Sequence, residues 1–326
     1  MDQQKNFLTS TEDARKKIEL RLLELIPESP RSLYDPIRYA FESGGKRLRP
    51  VLTYLSSLAD PKSDWLPAAC AVELLHNFTL VHDDIMDNAA WRRGRKTLHT
   101  IFDVNTAILS GDAIIALAEE SLSSGRYEFG AEMMSEFAFG FRSVCEGQAY
   151  DKEFESRNDV TAEDYIRMID LKSAKMLELA AVLGAYSAKG ENVEEVREFA
   201  HHTGIAFQIR DDLLDLVADE ASFGKTKGGD ISEGKRTYLF VTAMESFDSL
   251  EARDQDLLLR IQDKKTTEHD IQLAKKLFTH IGVITKAQDT IAEQTAIAKK
   301  SLENIRNKEM REGLSAFGEY LLGRAY

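Results

Sequence analysis

The stretch from Asp64 to Asp87 constrains the fold more than any other, because it reads as one long helix, apolar along its body and acidic at its end. Ala68, Ala71, Val72, Leu74, Leu75 and Phe78 recur at helical spacing and lead into Asp83-Asp84-Ile85-Met86-Asp87. A helix turns ~100° per residue, so the outer aspartates of this DDxxD, four apart, share one face. His76, Thr79, Leu80, Asp83 and Asp87 then lie along one stripe. A second stretch of the same form, Asp211-Asp212-Leu213-Leu214-Asp215, follows much later. Like charges one turn apart repel, more strongly where the dielectric is low. Two such clusters therefore ask for a cation.

The rest of the chain reads as helix after helix. Six prolines in 326 residues, long 3.6-period patterns and no sustained alternation predict an all-α protein. A first helix is expected over 11–25, and a second with Asp35 as cap and Pro36 at its first position, ending at Gly44-Gly45. Gly44 to Pro50 is then a tight basic turn whose glycines let backbone N–H groups approach an anion. After the Asp64–Asp87 helix, 92–99 is expected as a loop. Further helices are expected from an Asn105/Thr106 cap through Ser121 and over 128–151. Another runs from a capping-box-like Thr161 through Ala188, with Lys172-Ser173 at its middle, and one more over 194–217. The Gly- and Lys-rich stretch 219–236 is the conspicuous non-helical segment and is expected to act as a lid. With no linker and no repeat beyond the two acidic motifs, one domain over 1–326 is expected, a bundle of long helices around a deep central cavity.

Charge narrows the partners. Lys and Arg number 42 and Asp and Glu 55, a formal balance of −13, which argues against nucleic acid. Against that background Lys46-Arg47-Leu48-Arg49, Arg92-Arg93-Gly94-Arg95-Lys96, and Lys225-Thr226-Lys227 with Lys235-Arg236 stand out as basic clusters beside glycine, suited to a compact anion. No apolar run approaches the ~20 residues of a membrane span, and 1–5 lacks the basic start of a signal peptide, so a cytoplasmic protein is expected. Cys70 and Cys145 form neither a disulfide framework nor a zinc site and are expected as small core residues.

All-oxygen carboxylate clusters suit hard ions, Mg²⁺ above all, which takes one or two carboxylates plus substrate phosphates. Set opposite each other across a cavity, the two motifs would hold several Mg²⁺ ions on a diphosphate and stabilise it as a leaving group. At this point the chain resembles the trans-isoprenyl (polyprenyl) diphosphate synthases, similar to the short-chain geranylgeranyl and farnesyl diphosphate synthases. The resemblance runs from Gly44 to about Thr237, with GGKRLRP, DDIMD, RRG, KSA, FQIRDDLLD, GKTKGGD and GK in the family's order. Ser173 stands where threonine is commoner, and Arg236-Thr237-Tyr238 lacks a proline often seen after the lysine.

The resemblance implies a site and a reaction. Asp83, Asp87 and Asp211 would ligate three Mg²⁺, with Asp84, Asp212 and Asp215 holding metal waters or ligands. Arg92, Lys172, Lys225 and Lys235 would bind an allylic diphosphate (dimethylallyl, geranyl or farnesyl). Lys46, Arg49, His76, Arg93 and the Gly45 backbone would bind isopentenyl diphosphate, and Ser173 and Gln208 would favour the carbocation. The product would be a short all-trans prenyl diphosphate, geranylgeranyl or else farnesyl, and the family is usually homodimeric. A residue five before Asp83 sits ~7.5 Å down the helix axis, so Phe78, with Thr79 and Leu75, is expected to limit the growing tail.

Two other enzyme classes and a binding module remain open on the residues. A terpene cyclase shares a single DDxxD but pairs it with a different second metal motif. Glu73-x-x-His76 and Glu198-x-x-His201 have the Glu-x-x-His spacing of a di-iron carboxylate bundle. That reading leaves the aspartates and basic loops unexplained. A regulatory subunit of a heteromeric synthase would be expected to have lost some of the six acids, and all are present.

Overall fold

Residues 65–86 form one unbroken helix, Trp65–Met86, because nothing in them breaks it and nearly every face is apolar. Ala68, Ala69, Cys70, Ala71 and Val72 are buried in succession, so the helix is covered all round and not along one stripe only. The following long helix, Val104–Ser123, runs antiparallel beside it. Ser121 Oγ donates to Pro67 O at one end (2.9 Å), while at the other Gly111 makes room for the His82 ring. A Cβ at Gly111 would come within 2.2 Å of His82 Nε2.

A computed structural model describes residues 2–42, 44–217 and 228–323. Its chain groups into two compact units. One comprises Met1–Phe141, Met176–Arg197 and Leu302–Phe317, the other Arg142–Lys175, Glu198–Ser301 and Gly318–Tyr326. In the first unit, helix Leu48–Ser56 packs so closely on Gly184 that a Cβ there would fall 2.2 Å from Thr53 O. In the second, Ile205, Ile209, Leu213 and Leu216 form a buried stripe joined to Phe240, Leu258, Ile261 and Phe278. The polar and acidic residues Gln208, Asp211 and Asp215 of the same helix are left on its other side.

The all-α expectation holds. Among the described residues the strands are Trp91–Arg92 and Arg95–Lys96, a two-residue ribbon inside the segment expected as a loop. Its turn is Arg93-Gly94, both at positive φ (51° and 75°), the conformation that a tight two-residue hairpin demands. The helix expected from Asp35 instead begins at Arg31 behind Pro30 and ends at Phe41. Pro36 therefore lies inside it, tolerated because the carbonyl it fails to bond, at Ser32, belongs to an exposed residue. Asp103, and not Asn105 or Thr106, caps the Val104–Ser123 helix by accepting from Thr106 N (2.8 Å). The capping box at Thr161 and Asp164 forms. The helix it starts stops at Ile169, gives way to a π-helical turn over Asp170–Ala174, and resumes as Lys175–Ser187. A further helix, Asp2–Ser10, precedes Glu12–Leu25. Cys70 is buried as expected, whereas Cys145 is exposed on the outer face of Gly130–Phe154. No helix of the described residues is long and apolar enough to cross a membrane.

Candidate active site

In the first unit the hairpin tip ties an acidic motif to a basic turn. Asp83 is half-buried, Asp84 buried and Asp87 exposed at the helix C-terminus. Asp84 Oδ1 accepts from Arg92 Nε at 2.6 Å. Burial raises the Asp84 carboxyl above its usual range despite that guanidinium. The next residue, Arg93, donates from Nη1 to Gly44 O at 2.8 Å. Gly45 lies beneath it at φ 152°, and a Cβ there would meet Arg93 Nη1 at 3.1 Å. Arg49 Nη1 stands 3.2 Å from His76 Nε2. A guanidinium only donates, so Nε2 accepts and the ring proton sits on Nδ1. Burial, reinforced by Arg49, Arg93, Arg92 and Arg47, drives His76 well below its ordinary pKa, and the imidazole is neutral. Burial also pulls Arg49 down to about 10. Of the residues expected around an anion, Gly45, Arg49, His76 and Arg93 are thus gathered together, while Lys46 is exposed beside them.

Arg47, in the middle of the same basic cluster, turns the other way. It is buried, pairs with Glu73 Oε1 at 2.6 Å and donates to Phe41 O at 3.3 Å. Below the acidic motif, Phe78 is buried between aromatic neighbours. Its ring centroid lies 4.5 Å from that of His82 and 5.2 Å, edge-to-face, from that of Phe141. Leu75 is fully buried, and the Thr79 hydroxyl is turned back to His76 O at 2.8 Å.

In the second unit a chain of hydrogen bonds runs into the other acidic motif. Ser173 Oγ donates to Gln208 Oε1 (2.9 Å), and Gln208 Nε2 to Asp212 Oδ1 (3.2 Å). Asp212 is buried and also accepts from the Tyr165 hydroxyl and from Tyr238 N (3.0 Å). Burial outweighs those donors and pushes Asp212 up to about 7. Asp211 and Asp215 are half-buried, and Asp215 Oδ2 accepts the N–H of Asp230 at 3.0 Å. Lys172 Nζ reaches Asp151 Oδ2 at 2.6 Å, and Lys235 Nζ reaches Asp230 Oδ1 at 3.0 Å. Burial acts to lower Lys235, but Asp230 and Glu233 win and raise it. Lys225, and the expected lid as far as residue 227, lie outside the described residues.

The family model described as polyprenyl synthetase matches residues 30–281. The chain belongs to the polyprenyl synthetase family. This polyprenyl synthetase is 38% identical to a geranylgeranyl pyrophosphate synthase of Geoglobus acetivorans, over 96% of this chain and 97% of that one. It is 34% identical to a geranylfarnesyl diphosphate synthase of Natronomonas pharaonis, over 96% of each. It also superposes on the crystal structure of geranylgeranyl pyrophosphate synthetase from Pyrococcus horikoshii Ot3 with a TM-score of 0.90 at 33% identity, covering 98% of this chain and 99% of that one.

The donors of this synthetase fit a hard cation that arrives with its substrate. Among the described residues no three or more His, Cys, Asp or Glu side chains converge as a ready-made metal site. Mg²⁺ needs no such cage, since it keeps waters and completes its shell from phosphate. The di-iron alternative loses its ligands: Glu73 is committed to Arg47, His76 faces Arg49, Glu198 is exposed and His201 lies against Asp170. Tyr165, Asp151 and Asp230 carry no signal in the sequence, and Arg47, grouped there with the anion-seeking cluster, belongs to Glu73 instead. For the Arg47–Glu73 pair the signal is Glu73 itself, which stands in the apolar body of Trp65–Met86, where a buried carboxylate requires a partner.

Proposed function

We propose that this polyprenyl synthetase condenses isopentenyl diphosphate head-to-tail with an allylic diphosphate to give a short-chain all-trans prenyl diphosphate, geranylgeranyl or else farnesyl. The observation that carries the reading is the hairpin tip. Arg92 bonds Asp84 of the acidic motif and Arg93 bonds Gly44 of the basic turn, so cation-seeking carboxylates and phosphate-seeking cations are built into one unit. The names of the two relatives, a geranylgeranyl pyrophosphate synthase and a geranylfarnesyl diphosphate synthase, support the reading as a prenyl diphosphate synthase.

Asp83, Asp87 and Asp211 would hold Mg²⁺, three ions in all, and Asp84, Asp212 and Asp215 would hold metal waters or act as further ligands. When bound, Mg²⁺ neutralises the allylic diphosphate and makes it a better leaving group. Arg92, Lys172, Lys225 and Lys235 bind that diphosphate. The three described cations are each fixed by a carboxylate, Asp84, Asp151 and Asp230, and so lose little freedom on binding. Isopentenyl diphosphate is bound by Lys46, Arg49, Arg93 and the Gly45 backbone. His76, held neutral, contributes a hydrogen bond and no charge. The Ser173 hydroxyl and Gln208, linked to Asp212, present fixed dipoles that favour the allylic cation. The proton lost from the condensed product leaves with the diphosphate, and Phe78, with Leu75 and Thr79, sets where chain growth stops.

We take 1–326 as one polyprenyl synthase domain acting in the cytoplasm as a homodimer. Ile101, Phe102, Val104, Ile108 and Leu109 lie close in sequence and are 41–57% exposed, an apolar surface of the kind a second copy covers. Incubation with Mg²⁺, isopentenyl diphosphate and dimethylallyl, geranyl or farnesyl diphosphate, followed by mass spectrometry, tests the activity. A terpene cyclase would instead yield hydrocarbon or alcohol and leave isopentenyl diphosphate unconsumed, and that outcome would refute the reading.

A further inference from the structure

Helices Ala162–Ile169 and Lys175–Ser187 would be continuous but for five residues, Asp170-Leu171-Lys172-Ser173-Ala174, wound as a π-helical turn. Lys175 N–H reaches back to Asp170 O, the i to i+5 bond of that form. Such a turn is rare in helices and persists where its surroundings impose it.

Here stretches of two other helices, within the same unit, close on its backbone. A Cβ at Gly147 would lie 2.6 Å from Lys172 N and 2.9 Å from Lys172 Cα, and one at Gly204 would lie 2.6 Å from Ala174 Cα. These neighbours are backbone atoms, which cannot rotate aside, so any side chain at either glycine displaces the turn bodily. One helical turn beyond each glycine sits the residue that holds a side chain of the turn. Asp151 takes Lys172 Nζ at 2.6 Å, and Gln208 accepts the Ser173 hydroxyl at 2.9 Å. Before Gly204 on the same stripe stands His201, whose Nδ1 is 3.2 Å from Asp170 Oδ1 at the start of the turn. That carboxylate oxygen is shut off from solvent and has no hydrogen-bond partner of good geometry among the described residues, and the imidazole at 3.2 Å is placed beside it, where a protonated ring offsets its charge.

We propose that Gly147, Gly204 and His201 are positioning residues, which hold the Asp170–Ala174 turn in the winding that presents Lys172 and Ser173 to the allylic diphosphate. The inference rests on the reading of Lys172 as a ligand of that diphosphate. An α-helical path through the same residues would rotate Lys172 and Ser173 about the axis, away from Asp151 and Gln208.

Steady-state kinetics of the full chain test this with Gly147→Ala, Gly204→Ala and His201→Gln, beside Gly130→Ala as control. A Cβ at Gly130 meets only Tyr127 Cβ, at an ordinary 3.9 Å. The three variants should raise KM for the allylic diphosphate about fivefold or more, the effect of one weakened charge-assisted hydrogen bond. KM for isopentenyl diphosphate should stay within about twofold, and Gly130→Ala should behave as wild type. A merely structural role would lower Tm and the active fraction and move neither KM. His201→Gln introduces no backbone clash and keeps the test open if a glycine variant does not fold. Wild-type KM for the allylic substrate in the folded variants, or an equal rise in both KM values, overturns the proposal. Lys172→Ala, measured alongside, separates the two failures. If it leaves the allylic KM unchanged, the assignment of Lys172 falls and the positioning role with it. If it raises that KM while the three variants do not, only the positioning role falls.

Discussion

Replacing Arg47 by methionine should unfold this synthetase at markedly lower temperature although Arg47 is not assigned to either substrate. Both members of the Arg47–Glu73 pair are about 5% exposed at the side chain and meet at 2.6 Å. Arg47→Met leaves Glu73 buried with, among the described residues, Asn77 Nδ2 at 3.2 Å to serve Oε1. Removing one partner of a buried pair costs about 3–5 kcal/mol, because the desolvated charge stays while its compensation goes. At about 2 °C per kcal/mol for a chain this long, Tm should fall by roughly 6–10 °C. Replacing both partners by apolar side chains of similar volume is close to neutral in general. Arg47→Met/Glu73→Leu should accordingly recover most of the loss. Differential scanning calorimetry of the two single variants and the double one gives the coupling directly. A second readout follows from where Arg47 sits, at φ 50° as the residue before helix Leu48–Ser56, which carries Arg49. Loosening it should raise KM for isopentenyl diphosphate more than for the allylic substrate. A Tm drop under about 2 °C for Arg47→Met, or a double variant as unstable as the two single losses added, would refute the reasoning.

Phe78→Ala removes the ring packed against His82 and Phe141 and should lengthen the main product; an unchanged chain-length distribution by mass spectrometry would exclude Phe78 as the floor. Asp83→Asn should cut kcat on the order of 100-fold and raise the Mg²⁺ concentration needed for half-maximal rate, and EDTA should silence the wild type reversibly; a variant with native Mg²⁺ dependence would contradict the metal assignment. The backbone N–H of Thr267, with Arg260 and the Thr267 hydroxyl, holds Asp270 at about 2, below the ~3.9 of an unfolded aspartate. Its contribution to stability is therefore present above pH ~4 and lost as pH falls from there towards about 2, so the Tm gap between wild type and Asp270→Asn should narrow over that range, and a gap constant with pH would count against it.

What the sequence made legible was whatever depends on local period and charge. The Trp65–Met86 helix, the capping box at Thr161 and the four-residue spacing of the acids follow from residues close together in the chain. The missed features have causes far away in sequence. Nothing within Asp170–Ala174 announces a π turn, since the cause lies at Gly147 and Gly204 on other helices. The segment after Lys235 lacks its expected proline, and the structure supplies another helix start there, with Thr237 Oγ1 accepting from Phe240 N at 3.3 Å. Lys46-Arg47-Leu48-Arg49 looks like one basic cluster. The left-handed conformation of Arg47 divides it, sending one arginine into the core and another to His76.

The two acidic motifs share a sequence form but not a wiring. In each, the second aspartate is the buried one, because it lies ~60–100° round the helix from the two that are four apart. Asp84 accepts from one guanidinium, half-exposed itself, on the hairpin. Asp212 is satisfied by a phenol, an amide side chain and a backbone N–H, all on packed helices. A group with one partner on a two-residue ribbon can be re-paired at little cost, whereas a group with three fixed donors cannot. Asp84→Asn should therefore act chiefly by releasing Arg92, a diphosphate ligand, and so on KM for the allylic substrate. Asp212→Asn leaves an NH₂ facing donors where a carboxylate accepted three, which should cost about 1–3 kcal/mol of stability as well as activity. Comparable Tm values for the two variants, both close to wild type, would show that the buried acids are equivalent and that the difference in wiring carries no consequence.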